Sequence, residues 1–300
     1  MKRGVHAILY AFFDEAERLH RASMRRQVEL CLEAGVVGIA ALGLATEVSK
    51  LSFDERCELM SWVAHDVAGK VPVGFTIYGQ SVAEQIAMVR QAEHVGATWI
   101  ILQPPAVGTY DAGEYLAFFG RVMQATSLSV AIQNAPQYLG RGLSNEDIEV
   151  LRQRHDNFTL IKSESSAADA RKLITLAGDD LKVFNGRGGI ELIECLKAGC
   201  EGFLLAPDLV DYSAAVMRLY EAGELDKAQK LYDRIAPAIL HVMRSIEHLI
   251  CYGKRLFAWR AGLEVFDRAP ALRPEAEVLT QFEALAASFG TFPADRSVID

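Results

Sequence analysis

Eight times between residues 5 and 221, a short unbroken apolar run gives way to a stretch with helical spacing. The apolar runs lie at residues 5–12, 36–42, 71–77, 99–103, 128–133, 158–162, 181–185 and 202–206. They do not alternate with polar residues, as the strands of a sheet with one wet face would. Continuous runs of this kind are what a parallel sheet covered on both faces requires. Helical patterns follow them at 22–34, 53–67, 81–94, 111–125, from Ser144 onward, and at 167–177, 190–198 and 209–221. Glu33-Ala34-Gly35, His94-Val95-Gly96 and Lys197-Ala198-Gly199 each place a glycine just past a helix end. Ser52 and Glu55 have the spacing of a capping box. Eight βα units in about 220 residues predict an α/β fold of the (β/α)8 TIM-barrel type.

From Gly223 the pattern changes. Residues 225–251, 254–266 and 274–289 read as helices with no strand between them, and no Pro/Gly/Ser-rich linker precedes them. The chain is therefore expected to divide into a barrel, 1–222, and a C-terminal helical extension, 223–300, packed on it. Residues 293–300 are expected to form a frayed tail.

The net charge of −8, with no basic cluster to offset it, argues against nucleic-acid binding. No apolar stretch approaches the roughly 18 residues of a membrane span, and the N-terminus is too short in apolar residues for a secretory signal. A cytoplasmic protein is the expectation. The five cysteines are scattered, and Cys195 and Cys200 have neither a redox nor a zinc spacing. His241 and His248 lie seven apart on one helix face, which suits packing better than a metal. No metal and no cofactor are expected. Gly186-Arg187-Gly188-Gly189 lacks the lysine and serine of a P-loop and reads as a substrate loop.

Within the barrel pattern, Phe158-Thr159-Leu160-Ile161-Lys162-Ser163-Glu164 stands out. Lys162 ends the sixth apolar run, so its side chain falls at the carboxyl-terminal face, where such barrels do chemistry. A lysine there is either a solvated loop-end charge or, in a partly dry site, an amine available to attack a carbonyl. A strand's period of two puts Glu164 on the same face.

Several stretches, in order, resemble the dihydrodipicolinate synthase / N-acetylneuraminate lyase superfamily over nearly the whole chain. Gly43-Leu44-Ala45-Thr46-Glu47 sits where that family writes GTTGE, and Gln133-Asn134-Ala135-Pro136 where it writes Tyr-Asn-x-Pro. Leu160-Ile161-Lys162-Ser163-Glu164 matches the segment carrying its imine-forming lysine. Phe184-Asn185-Gly186 is similar to strand seven of its sugar-acid lyases. The resemblance implies a (β/α)8 barrel with C-terminal helices, a Schiff base at Lys162, a small keto-acid substrate and a homotetramer built as a dimer of dimers.

The departures matter as much. The proton-carrying tyrosine's place is held by Gln133, which can hydrogen-bond but cannot act as acid or base. Leu44 and Ala45 hold both threonine places. Gln-Asp-Ala-Pro with Lys-x-Glu marks the L-2-keto-3-deoxyarabonate dehydratase branch, which this chain resembles more than the aldolases. The expected activity is dehydration of a 2-keto-3-deoxy sugar acid, with Lys162, Glu164 and Gln133 catalytic. A pyruvate-dependent aldolase or synthase is the alternative enzyme, and a catalytically dead keto-acid-binding barrel the alternative of another class. Gly43 and Thr46 are expected to hold the substrate carboxylate and Glu47 to be structural. Asn185, Arg187 and Gly188 are expected at the distal part of the substrate. Tyr138 could replace the missing phenol, and Tyr110 could reach a neighbouring site across a dimer.

Overall fold

Strands form where the continuous apolar runs fall. A computed structural model describes residues 1–295. Its strands are β1 Gly4–Ile8, β2 Gly38–Ala41, β3 Val73–Ile77, β4 Trp99–Leu102, β5 Ser129–Asn134, β6 Phe158–Ser163, β7 Lys182–Asn185 and β8 Gly202–Leu205. Each pairs in parallel with the next, and β1 pairs with β8, so the sheet closes into an eight-stranded barrel. Helices Arg21–Glu33, Phe53–Val67, Val82–His94, Ala112–Met123, Asn145–Arg154, Ala167–Ala177, Leu192–Ala198 and Val210–Glu221 connect them. The capping box of Ser52 and Glu55 is formed, and Ser81 with Glu84 makes another.

Inside the barrel, away from the catalytic face, large and glycine positions interlock. His6 packs 6.1 Å from the Trp99 ring and 5.2 Å from the Phe184 ring. On neighbouring strands Gly38, Gly74 and Gly202 leave the room: a Cβ on them would overlap His6, Trp99 and Phe184 respectively. Burial lowers the His6 pKa to about 4, so the ring is neutral. Interiors this dense act as a packed plug rather than a pore.

Three boundaries differ from the sequence pattern, each for a physical reason. The first apolar run extends to residue 12, but β1 ends at Ile8. Residues 9–13 are buried instead, with Phe12 6.1 Å from Phe257 of the C-terminal extension and the Tyr10 hydroxyl donating to Asp208, just after β8, at 2.9 Å. The expected helix 225–251 stops at Val242. Ser245 then caps a new start, Ile246–His248, which continues through a π-helical turn, Leu249–Gly253, into Lys254–Ala261. Apolar spacing runs through the break because Met243, Ile246 and Leu249 cover the barrel mouth. Gly262, at φ +68°, ends that helix before the expected residue 266.

Buried ion pairs join the extension to the barrel. Arg260 meets Asp211 at 2.5 Å, and Lys254 reaches Glu47. The expected fraying at 293–300 is corrected in its described part. Phe292 N–H donates to the Arg260 carbonyl at 2.9 Å and Ala294 N–H to Asp211 at 2.8 Å. Residues 296–300 lie outside the described residues.

Candidate active site

Adjacent parallel strands bring the central residues together. Gln133 on β5 is in register with Lys162 on β6, and Lys162 with Phe184 on β7. Glu164 follows β6, and its N–H still donates to the Asn134 carbonyl at 3.0 Å, which extends the ladder one residue. Lys162 Nζ lies 2.9 Å from Glu164 Oε1, and Gln133 Nε2 donates to the same oxygen at 2.9 Å. All three side chains are buried. Gly186 makes the arrangement possible, since a Cβ there would come within 2.6 Å of Lys162 Cε and 2.9 Å of Glu164 Oε1.

Lys162 and Glu164 open onto a chamber of about 30 Å³ with carbon walls from Ile8, Leu44, Leu204, Met243, Ile246 and Leu249. That volume suits about one water molecule. A larger cavity of about 560 Å³ lies beside it, lined by residues that include Tyr78, Gln103, Tyr138, Arg141 and Glu247. The two share Leu44 and Ile246 as walls. Neither Lys162 nor Glu164 lines the larger cavity, which lies against their chamber as an antechamber. A charged pair walled mostly by carbon interacts more strongly than it would in open water.

The remaining predicted residues divide. Thr46 is fully buried and its hydroxyl donates to the Leu9 carbonyl at 2.5 Å, so that donor is spent on the backbone. Gly43 packs tightly, with only 3.1 Å between a hypothetical Cβ and Ile8 Cγ2. Glu47, at φ +55°, pairs with Lys50 at 2.7 Å and with Lys254. Asn185 ties two loops, donating to the Ser165 carbonyl at 3.0 Å and accepting from Arg187 N–H at 3.1 Å. Arg187 bonds Glu191 at 2.9 Å and keeps a buried Nε without a partner. Gly188, at φ +62°, lines the chamber where a side chain would strike Met243.

Tyr138 stands on the short helix Pro136–Leu139 and lines the larger cavity. Burial and the Glu164 carboxylate raise its pKa, while Arg187 and Gln137 pull the other way. Tyr110 is exposed, edge-on to Tyr115 at 5.9 Å, and lies outside both cavities of this single chain. Among the described residues, no group of three or more His, Cys, Asp and Glu is arranged to hold a metal.

Sequence reasoning missed Gln103, whose Nε2 donates to Gln133 Oε1 at 2.7 Å. The signal was present, since Gln103 ends an apolar strand just as Gln133 and Lys162 do. It also missed Gln137, which donates to the Glu164 carbonyl at 2.5 Å, and the lid from residues 243–250. No local motif announces that lid, because it comes from the extension rather than from a barrel loop.

The dihydrodipicolinate synthetase family model matches residues 1–287. The chain belongs to that family. Among curated relatives in it, L-2-keto-3-deoxyarabonate dehydratase of Azospirillum brasilense is 27% identical over 290 residues, covering 95% of this chain and 93% of its own length. The 4-hydroxy-tetrahydrodipicolinate synthase of Methanopyrus kandleri is 26% identical, covering 78% of each chain. The fold matches that of YagE, a prophage protein of the family from E. coli K12 solved in complex with pyruvate. Its TM-score is 0.88 at 20% identity, over 95% of this chain and 98% of that one. Family members thus include both a dehydratase and synthases, and no helix among the described residues is long and apolar enough to cross a membrane.

Proposed function

We propose that this family member dehydrates a 2-keto-3-deoxy sugar acid through an imine at Lys162. The observation that carries this is the Lys162–Glu164 pair at 2.9 Å in a carbon-walled chamber, with Gln133 where the aldolases have a phenol. The Lys162 ammonium gives a proton to Glu164 and the amine attacks C2 of the keto acid; the carbonyl oxygen leaves as water with one proton from the attacking nitrogen and one returned by Glu164, which is again a carboxylate. The cationic imine acidifies C3. Glu164 then takes a C3 proton, and the enamine's electron pair expels the C4 hydroxyl. The proton just taken by Glu164 goes to that leaving oxygen, forming water. Hydrolysis of the conjugated iminium frees the unsaturated keto acid and restores Lys162.

One carboxylate serving as base at C3 and acid at the C4 oxygen explains how the chain manages without the phenol. The resemblance to the Azospirillum dehydratase supports the same reading. Leu44 and Ile246 line both the chamber and the antechamber, so they flank the path we assign to the keto acid. Asn185, Arg187 and Gly188 then flank the distal carbons. We further propose a dimer of dimers in which Tyr110 approaches a neighbouring site.

Incubation with a panel of 2-keto-3-deoxy sugar acids, read by mass spectrometry, tests the reaction. Loss of one water from the substrate is the expected outcome. Release of pyruvate plus an aldehyde would replace it with the aldolase reading. That second reading draws on one observation: Tyr138 lies in the field of Glu164 and Arg187, where burial keeps its phenol protonated as a proton donor.

A further inference from the structure

We infer that Gln103 is a positioning residue that fixes which way the Gln133 carboxamide faces, and through it holds Glu164 for proton transfer. The inference rests on the imine reading above and extends it to a residue on a third strand. A carboxamide has a donor end and an acceptor end, and a half-turn of its terminal bond exchanges them. Gln133 lies between Gln103 Nε2, which donates to its Oε1 at 2.7 Å, and Glu164 Oε1, which accepts from its Nε2 at 2.9 Å.

The direction of this chain is set by its ends. A carboxylate paired with Lys162 can only accept, so the amide must present N–H to it. Turned round, Gln133 would set oxygen against the Glu164 carboxylate and its own NH2 against that of Gln103. Two facing acceptors and two facing donors, all in buried positions, cost more than the bonds they replace. Gln103 supplies the donor that makes one orientation the better of the two.

Gln103 is itself held from behind. Its main-chain carbonyl accepts from Gln85 Nε2 at 2.8 Å, and its backbone N–H donates to the Ile77 carbonyl at 3.3 Å. Gln85 is fully buried on helix Val82–His94. The backbone that carries the Gln103 carboxamide is thus tied to the barrel frame rather than to a mobile loop. The consequence appears once Lys162 is bound to substrate. Its nitrogen then faces C2, Glu164 loses its closest cation, and the Gln133 N–H is the side-chain bond that keeps the carboxylate near C3.

The test uses the full chain with pyruvate as probe and reads two steps separately. Borohydride trapping reports the imine, and exchange of the pyruvate C3 protons in D2O reports proton abstraction. Gln103→Met removes the donor at similar length. It is expected to trap the imine within about twofold of the unmodified chain while C3 exchange falls roughly ten- to a hundredfold. Gln103→Glu, which offers an acceptor and turns Gln133 round, should fall at least as far. Gln133→Leu should lose exchange too, and adding Gln103→Met to it should cost little more, because the two act as one unit.

Normal exchange in Gln103→Met, or losses that multiply in the double variant, would overturn the inference. Imine trapping in the same sample shows that the variant is folded. No trapping in the unmodified chain would instead overturn the imine reading itself.

Discussion

Two buried lysine–glutamate pairs stand at the carboxyl-terminal end of this barrel, in different surroundings. Lys162 meets Glu164 beside the chamber, and Lys254 meets Glu47 where the C-terminal extension crosses the second βα loop. Both are shielded from solvent. Glu47 has a second cation in Lys50, at 2.7 Å, and Lys50 also donates to the Arg268 carbonyl at 3.0 Å. Phe13 lies 5.4 Å below Lys254, and burial lowers that lysine's pKa while Glu47 opposes the shift. That pair is sealed and cross-braced. The Lys162 pair has a chamber in front of it and a glycine, Gly186, in place of a side chain above it. Burial and a partner are common to both pairs; space beside the amine belongs to Lys162, and the proposed imine rests on that difference.

The comparison breaks most sharply at the lysines. Lys162→Met should abolish imine trapping, with a modest loss of stability because Glu164 keeps the Gln133 N–H and faces space for a water. Lys254→Met should do the reverse. It strands Glu47 among buried groups and should cost about 3–5 kcal/mol in urea unfolding, while Lys162 in the folded fraction still traps pyruvate. If Lys254→Met silenced trapping in folded protein, the division of labour between the pairs would be wrong.

The carboxylates give the next largest effects. Glu164→Gln should leave trapping intact and lower C3 exchange by about 10²–10⁴-fold, the usual worth of a general base. Glu47→Gln should leave exchange near normal and appear in the unfolding midpoint instead. Gly186→Ala is the smallest and most specific change. Its methyl would press on Lys162 Cε at 2.6 Å, so trapping should slow with little change in midpoint. An unaltered trapping rate would remove the role assigned to open space.

How much of this the sequence carried follows from the range of the forces involved. The barrel was legible because continuous apolar strands and helical periodicity are local signals repeated eight times, with glycine stops at three of the helix ends. Lys162, Glu164 and Gln133 were legible because they end strands at one face. Thr46 was readable as a hydroxyl but not as one already spent on Leu9, since that bond spans 37 residues. The break at residues 243–245 was hidden because Met243, Ile246 and Leu249 are apolar for the sake of the barrel mouth, which extends the helical period across it. Gln103 carried the same strand-end signal as Gln133 and Lys162, but not its meaning. A single polar residue at a strand end has meaning only once its neighbour's amide is seen to need a donor.

The most direct test of the account is to treat the full chain with pyruvate and borohydride, digest it, and locate the modified lysine by mass spectrometry. The account predicts one carboxyethyl adduct, on Lys162, with Lys254 unmodified although it too is buried beside a glutamate. Failure to label Lys162, or equal labelling of Lys162 and Lys254, would contradict it.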